Sequence, residues 1–236
     1  MIHALILSGG SGQRFGNNKP KQYLEIAAKP IIGYCIDAFQ NNPEIDTITI
    51  VLAEEWKRYI DNYIHDNEIT KFSSFAKSGC SRQHSILSGL ESIYSTYAND
   101  DDLVIIHDAA RPCVSDDIIH DCIITLKNFS MAMPVINVKD TVYYSENGMT
   151  ISKLLNRDCL FAGQAPEGCH LGPYLDINRK MTDAELSATR GTCEAGFKYG
   201  LSVGMFNGDE GNYKITVPQD LEKFKMQIIG AANESI

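Results

Sequence analysis

The seven cysteines of this 236-residue chain are an odd set and never fall as C-x-x-C. Neither a disulfide framework nor a zinc site is therefore indicated. No run approaches the roughly 18 apolar residues of a bilayer span, and no basic segment leads into a signal-length apolar stretch. Positive charge is also scarce: 21 Lys and Arg stand against 30 Asp and Glu, a net charge of −9. That balance disfavours nucleic acid as a partner. Internal repeats and low-complexity segments are absent. Together these absences predict a reducing, cytoplasmic protein without a membrane or nucleic-acid partner. The apolar content of 44% and charged content of 22% are those of an ordinary globule. The length suits one large α/β domain over residues 1–236 and is short for two.

Against this acidic background a basic cluster stands out. The apolar run Ala4-Leu5-Ile6-Leu7 passes Ser8 into Gly9, Gly10 and Gly12, and Arg14, Lys19 and Lys21 follow. Glycines allow close backbone approach and present N–H groups to an anion. Three cations beside them imply an anion of several charges, which a nucleoside triphosphate supplies. Two familiar motifs do not fit. No glycine of the loop is followed by Lys-Ser or Lys-Thr as the P-loop requires. Phe15 stands where the dinucleotide fingerprint needs its third glycine, and Lys29-Pro30-Ile31-Ile32 offers no acid for a ribose. What remains is G-G-x-G-x-R followed by Pro20-Lys21, the alternative being a solvated turn with incidental cations.

Hydrophobic periodicity predicts strands over 3–8, 47–53, 102–107 and 131–137. It predicts helices over 30–41, 54–65, 82–97, 115–128 and 218–229. Ser115 before Asp116 and Asp117 reads as an N-cap with acids in the first turn, and Pro218 suits the first turn of the last helix. Strands alternating with helices predict a mostly parallel twisted sheet covered on both faces. Ligands then sit beyond the C-terminal strand ends, where the glycine loop falls. Residues 138–156 differ, with two short β-prone runs around Asn147-Gly148 that predict a hairpin arm.

Further chemistry lies at other element ends. His107-Asp108-Ala109-Ala110-Arg111-Pro112 follows an apolar strand; Asp108 can orient a hydroxyl or a metal-bound phosphate, and Arg111 offers a planar fork for phosphate. The two could equally be an ion pair capping the next helix. Gly79-Cys80-Ser81-Arg82-Gln83-His84-Ser85 opens a helix whose backbone donors can meet a ligand's polar edge or an anion. Lys214, between Tyr213 and Ile215, reads either as projecting from a short strand toward a site or as solvated.

Together these segments resemble the cytidylyltransferases that make 2-C-methyl-D-erythritol cytidine diphosphate and CDP-ribitol. The resemblance runs from residue 4 to 221. It is carried by the glycine loop with Pro20-Lys21-Gln22, Gly79-x-x-Arg82-x-x-Ser85, His107 to Pro112, Val138-Lys139-Asp140-Thr141, Asn156-Arg157, Gly163-Gln164-x-Pro166 and Asn212-x-Lys214-Ile215-Thr216-x-Pro218. It implies a Rossmann-like α/β nucleotidyltransferase fold and a homodimer whose hairpin arm completes the partner's site. It also implies Mg²⁺-dependent attack of an alditol phosphate on CTP. By that carry-over, Arg14, Lys21 and Lys214 are the catalytic charge stabilisers. Ser8, Gly9, Gly10, Gly12, Gly79, Ser85 and Asp108 join Arg14 and Lys21 in binding CTP. Asp108, Arg111, Thr141, Arg157 and Thr192 surround the acceptor, with Thr141 and Arg157 coming from the other subunit. Mg²⁺ is expected on the CTP phosphates, with Asp108 the candidate protein contact.

The chain departs from the family pattern on the acceptor side. Most relatives have Gln-Thr-Pro-Gln-x-Phe where this chain has Gln164-Ala165-Pro166-Glu167-Gly168-Cys169. A later Thr-Asp corresponds by spacing to Thr192-Cys193, with the acid lost, and Cys80 replaces a residue that is often acidic. The CTP half is spared. The expected acceptor is therefore a polyol phosphate such as ribitol or glycerol phosphate, for surface polymer synthesis. Methylerythritol phosphate is the alternative. Gly163-Gln164 and Gly208-Asp209-x-x-Asn212 look nearer the ribitol branch, while His107 to Arg111 looks nearer the methylerythritol branch. A sugar-phosphate nucleotidyltransferase using UTP or GTP, and a non-catalytic nucleotide-binding protein, are the competing readings.

Overall fold

A computed structural model describes residues 1–10, 19–97 and 99–234. Gly12 and Arg14 lie outside the described residues. In chain order, β1 (Ile2–Leu7), β2 (Glu25–Ile26) and β3 (Lys29–Pro30) lead into α1 (Ile31–Asn41), β4 (Thr47–Leu52) and α2 (Glu54–Asp66). Next come β5 (Phe72–Lys77), α3 (Arg82–Tyr97), β6 (Leu103–Asp108), α4 (Asp116–Leu126) and β7 (Met131–Asn137). The arm holds β8 (Tyr143–Tyr144) and β9 (Lys153–Leu154) and is followed by β10 (Phe161–Gly163), β11 (Glu167–His170) and α5 (Leu171–Lys180). The chain closes with α6 (Asp183–Ala188), α7 (Thr192–Lys198), β12 (Val203–Asn207) and α8 (Pro218–Glu234).

β1 pairs in parallel with β4 and β6, and β4 with β5. β7 pairs with β12 in parallel and with β10 and β11 antiparallel, while β11 also pairs with β6, closing an eight-stranded sheet. Alternation along β1 decides which face each side chain serves. Ala4 and Ile6 face α1, α2 and α4 and pack with Ile32, Ile36, Phe39 and Ile119. Leu5 faces the other way, with Ile86, Leu90, Tyr174 and Leu175 of α3 and α5. A strand buried on both faces reads as a continuous apolar run, which is why β1, β4 and β6 were legible.

Ser115 caps α4 as expected, its Oγ accepting from the Ile118 N–H at 3.4 Å, with Asp116 and Asp117 in the first turn. Pro218 opens α8. The arm is a hairpin, but Tyr143 pairs with Leu154 and Tyr144 with Lys153, so a long loop over 145–152 replaces a two-residue turn. Asn147 organises that loop, its Oδ1 accepting from the N–H of Met149 and Thr150. No strand is assigned around Lys214; its neighbour Ile215 is buried and donates its N–H to the Ala110 carbonyl at 2.8 Å. β5, β10, β11, β12 and helices α5 to α7 lie beyond what periodicity marked out.

Candidate functional site

The C-terminal ends of the parallel strands are fastened to one another. Ser8 N–H donates to Val51 O at 2.7 Å, Ser78 N–H to Leu52 O at 2.9 Å, and Ala109 N–H to Leu7 O at 3.0 Å. This brings together the glycine loop after β1, the Gly79 loop after β5 and the Asp108 segment after β6. These are three of the places where sequence reasoning put its candidates.

The loops after β1 and β5 are held by shape and neutral hydrogen bonds. Gln22 Nε2 donates to Ser8 O at 2.9 Å and Gly10 O at 2.7 Å, while the Tyr23 hydroxyl donates to Ser8 O at 3.0 Å. Lys21 opens the short 3-10 turn Lys21–Tyr23 that carries both residues. Its charge also reaches Asp220 at the start of α8. Burial pushes the Asp220 carboxyl up, yet hydrogen bonds from Thr216 and Val217 outweigh that, Lys21 adds to them, and the group lies below its ordinary value. Lys19 instead turns to Glu25, at 3.4 Å, and lies over the Tyr59 ring. Glycine is required where the loops touch: a Cβ on Gly9 would lie 2.3 Å from the Ser78 Cβ, and one on Gly79 would lie 2.3 Å from the His84 Cβ. Ser85 Oγ accepts from the Gly79 N–H at 3.0 Å and donates to Ser81 O at 3.0 Å, so it shapes the loop it belongs to.

Asp108 lies at the centre of the charged side. Lys214 Nζ donates to its Oδ2 at 2.8 Å, Arg82 Nε to its Oδ1 at 3.2 Å, and Arg111 Nε lies 3.9 Å from Oδ2. Burial pushes the Asp108 carboxyl up, but Arg82, Lys214 and Arg111 outweigh it and hold the group far below the usual carboxylate range. Arg82 reaches further. Its Nη1 donates to Thr192 Oγ at 2.8 Å and its Nη2 to Glu167 Oε1 at 3.2 Å. Burial opposes the Arg82 charge, and Asp108 with Glu167 more than offsets it, so its pKa is raised. Three cations and two carboxyls thus share one cluster, an excess of positive charge suited to phosphate.

The segment carrying Lys214 is latched to the break between β10 and β11. Gln164 Nε2 donates to Asp209 O at 2.8 Å while its Oε1 accepts from the Asp209 N–H at 3.1 Å. Asn212 Nδ2 donates to Ala165 O at 2.7 Å, and Arg111 Nη1 to Asn212 O at 2.8 Å. His107 is fully buried and its Nε2 meets Arg111 O at 2.9 Å, so that nitrogen is the donor. Burial brings its pKa down to about 4 and keeps the ring neutral.

Ser8, Gly9, Gly10, Gly79, Ser85, Asp108, Arg111, Lys214 and Thr192 therefore gather at one end of the sheet. Thr192 is fully buried there, its hydroxyl bonded to Arg82. Thr141 and Arg157 do not join the cluster. Arg157 Nη1 donates to the Lys139 carbonyl at 2.7 Å, and both residues are exposed on the arm. Arg82 and Glu167 were absent from the predicted site residues. Arg82 was visible as part of the Gly79 motif; the only signal for Glu167 was an acid standing where relatives carry glutamine.

The family model IspD: 2-C-methyl-D-erythritol 4-phosphate cytidylyltransferase matches residues 2–228. The chain is 32% identical to the ribitol-5-phosphate cytidylyltransferase of Streptococcus agalactiae serotype Ia, over 98% of this chain and 97% of that one. It is 31% identical to the 2-C-methyl-D-erythritol 4-phosphate cytidylyltransferase of Clostridium beijerinckii, over 94% and 95% of the two chains. Among solved structures, the Francisella tularensis 2-C-methyl-D-erythritol 4-phosphate cytidylyltransferase superposes with a TM-score of 0.79 at 26% identity, covering 96% of this chain and 99% of that one.

Proposed function

The chain belongs to the IspD cytidylyltransferase family, and from that premise we propose that it joins CTP to an alditol phosphate, giving a CDP-alditol and pyrophosphate. The observation that carries this reading is the Asp108 carboxyl held between Lys214, Arg82 and Arg111 beside the glycine loop. An oxygen of the acceptor phosphate forms the new bond to the α-phosphorus of CTP. The bond from that phosphorus to the β-phosphate bridging oxygen breaks, and pyrophosphate leaves with the electron pair. A phosphate monoester has a second pKa near 6 and is already mostly dianionic at neutral pH, so the attack needs no general base. Positioning and charge stabilisation then carry the catalysis.

Arg14, Lys21 and Lys214 are assigned to the triphosphate, and Asp108 and Arg111 to the acceptor side. Among the described residues no three His, Cys, Asp or Glu side chains gather as a metal cage. Mg²⁺ typically uses one or two carboxylates together with substrate phosphates. Asp108 with the CTP phosphates fits that donor set, and the ion would neutralise charge on the triphosphate.

The arm carries Tyr143, Tyr144, Met149, Ile151 and Leu154 exposed. A second copy would cover them and receive Thr141 and Arg157 into its site. No helix among the described residues is long and apolar enough to cross a membrane.

The departures at Ala165, Glu167 and Cys193 favour ribitol 5-phosphate or a similar polyol phosphate over methylerythritol phosphate. A panel of alditol phosphates with CTP, scored by pyrophosphate release, tests this. Preferred turnover of a straight-chain alditol phosphate is expected. Preferred turnover of methylerythritol phosphate, the reading that His107 to Arg111 favours, would overturn it.

A further inference from the structure

Glu167 is nearly buried on β11, where it pairs with Ile106, two residues before Asp108 on β6. Residues opposite one another on neighbouring strands share a face, as do residues two apart on one strand. Glu167 and Asp108 therefore look out on the same side of the sheet, where α3 begins with Arg82. The Glu167 carboxyl is fully engaged. Its Oε1 accepts from Arg82 Nη2 at 3.2 Å and from the Thr192 N–H at 3.3 Å, and its Oε2 from the Cys193 N–H at 2.8 Å. One side chain thus fixes two things at once: the guanidinium plane of Arg82 and the first turn of α7.

We infer that Glu167 is a positioning residue that sets Arg82 and Thr192 for binding of the acceptor phosphate ester; the inference rests on the cytidylyltransferase reading given above. Arg82 has a carboxyl, a hydroxyl and a second carboxyl on three of its nitrogens, and the two carboxyls come from different strands, β6 and β11. Asp108 alone would leave it free to swing about the Nε contact. Glutamine at 167 could not take over the whole task. One of its two polar ends is a donor, and turned toward Cys193 or Arg82 it would meet another donor. The residue after Thr192 is Cys193, which offers no carboxyl of its own. The acid that holds the start of α7 comes from the sheet, through Glu167.

The effect falls on the acceptor because the nucleotide loop is fastened independently. Gly79, Ser81 and Ser85 bond to one another without Glu167. All of the partners of Glu167 on α7 and the far end of Arg82 lie on the Asp108 side.

The test is steady-state kinetics of wild type, Glu167→Gln, Arg82→Lys and the double variant with CTP and the best alditol phosphate, each with a thermal melt. Glu167→Gln should raise the acceptor KM by about tenfold or more while the CTP KM stays within about twofold. Arg82→Lys keeps the charge and loses the fork, so it should show the same selective rise even if Glu167→Gln does not fold. The double variant should be no worse than the poorer single variant by more than about twofold, because both remove one arrangement. An unchanged acceptor KM in either folded single variant, equal rises in both KM values, or full additivity in the double variant would overturn the inference. Absence of any CTP-dependent pyrophosphate release by wild type across the acceptor panel would remove the reading beneath it, and the inference with it.

Discussion

The two sides of the site are built in opposite ways. Around the glycine loop the fastening is neutral and steric: Gln22 and Tyr23 hold the backbone of Ser8 and Gly10, and Gly9 has no room for a Cβ against Ser78. Around Asp108 it is ionic, with Lys214, Arg82, Arg111 and Glu167 in one network. A neutral, close-packed fastening is sensitive to the volume of a side chain and little affected by charge. An ionic one tolerates small changes in shape but loses its organisation when one charge goes. The family departures at Glu167 and Cys193 fall on the ionic side.

The comparison is broken most severely by removing the central carboxyl. Asp108→Ala should lose activity by about 10²–10³-fold, as preorganised electrostatic groups commonly do. It should also destabilise the fold by about 3–5 kcal/mol, because a nearly buried pair is broken and its cations are left uncompensated. A denaturant midpoint equal to that of wild type would contradict the network. Lys21→Ala should match the rate loss of about 10²–10³-fold with the fold intact. Near-normal kcat in a well-folded Lys21 variant would remove that residue from the chemistry.

Gly9→Ala probes the steric side. Its Cβ would press on the Ser78 Cβ at 2.3 Å, and overpacking of that kind typically costs about 1–3 kcal/mol. The CTP KM should rise while the acceptor KM holds, the reverse of the pattern expected at Glu167. Equal effects on both substrates would mean that the two sides are not separately fastened.

The effect that vanishes at neutral pH is the pH dependence contributed by His107. Its folded pKa of about 4 lies below the ordinary 6.5, so the unfolded chain takes up the proton first as pH falls. The stability contributed by the neutral ring is complete above pH ~6.5 and is lost as pH drops toward ~4, at most about 3 kcal/mol over the window. Urea midpoints between these limits should fall more steeply for wild type than for His107→Gln. Parallel slopes would show that the ring is protonated in the fold.

Much of this arrangement was legible in the chain because it is local. β1, β4 and β6 are apolar runs buried on both faces, α1 to α4 show a helical period, and the Asp108 and Gly79 segments sit at strand ends. What escaped is either polar or distant. β5 reads Phe-Ser-Ser-Phe-Ala-Lys and among the described residues pairs with β4 alone, so its apolar signal is weak. β11 reads Glu-Gly-Cys-His, and its glutamate serves the site, so no alternation marked it as a strand. The Arg82–Glu167 contact joins residues 85 apart, which no spacing rule reaches. Thr192 was placed by its distance from Asn212, and its bond to Arg82 needed the fold.

The Gln164 latch has a consequence for how Lys214 is placed. A side-chain amide presents one acceptor and one donor, as a peptide group does, and Gln164 uses both on the main chain of Asp209. The segment is therefore grasped by its backbone at Asp209, while the Asn212 side chain holds its far end on Ala165 O and Gly208 leaves room for the Gln164 amide. The Asp209 carboxylate, not needed for that grip, turns back on its own loop and accepts from the Gly211 N–H at 2.7 Å. The position of Lys214 is thus set through a glutamine at the break between β10 and β11.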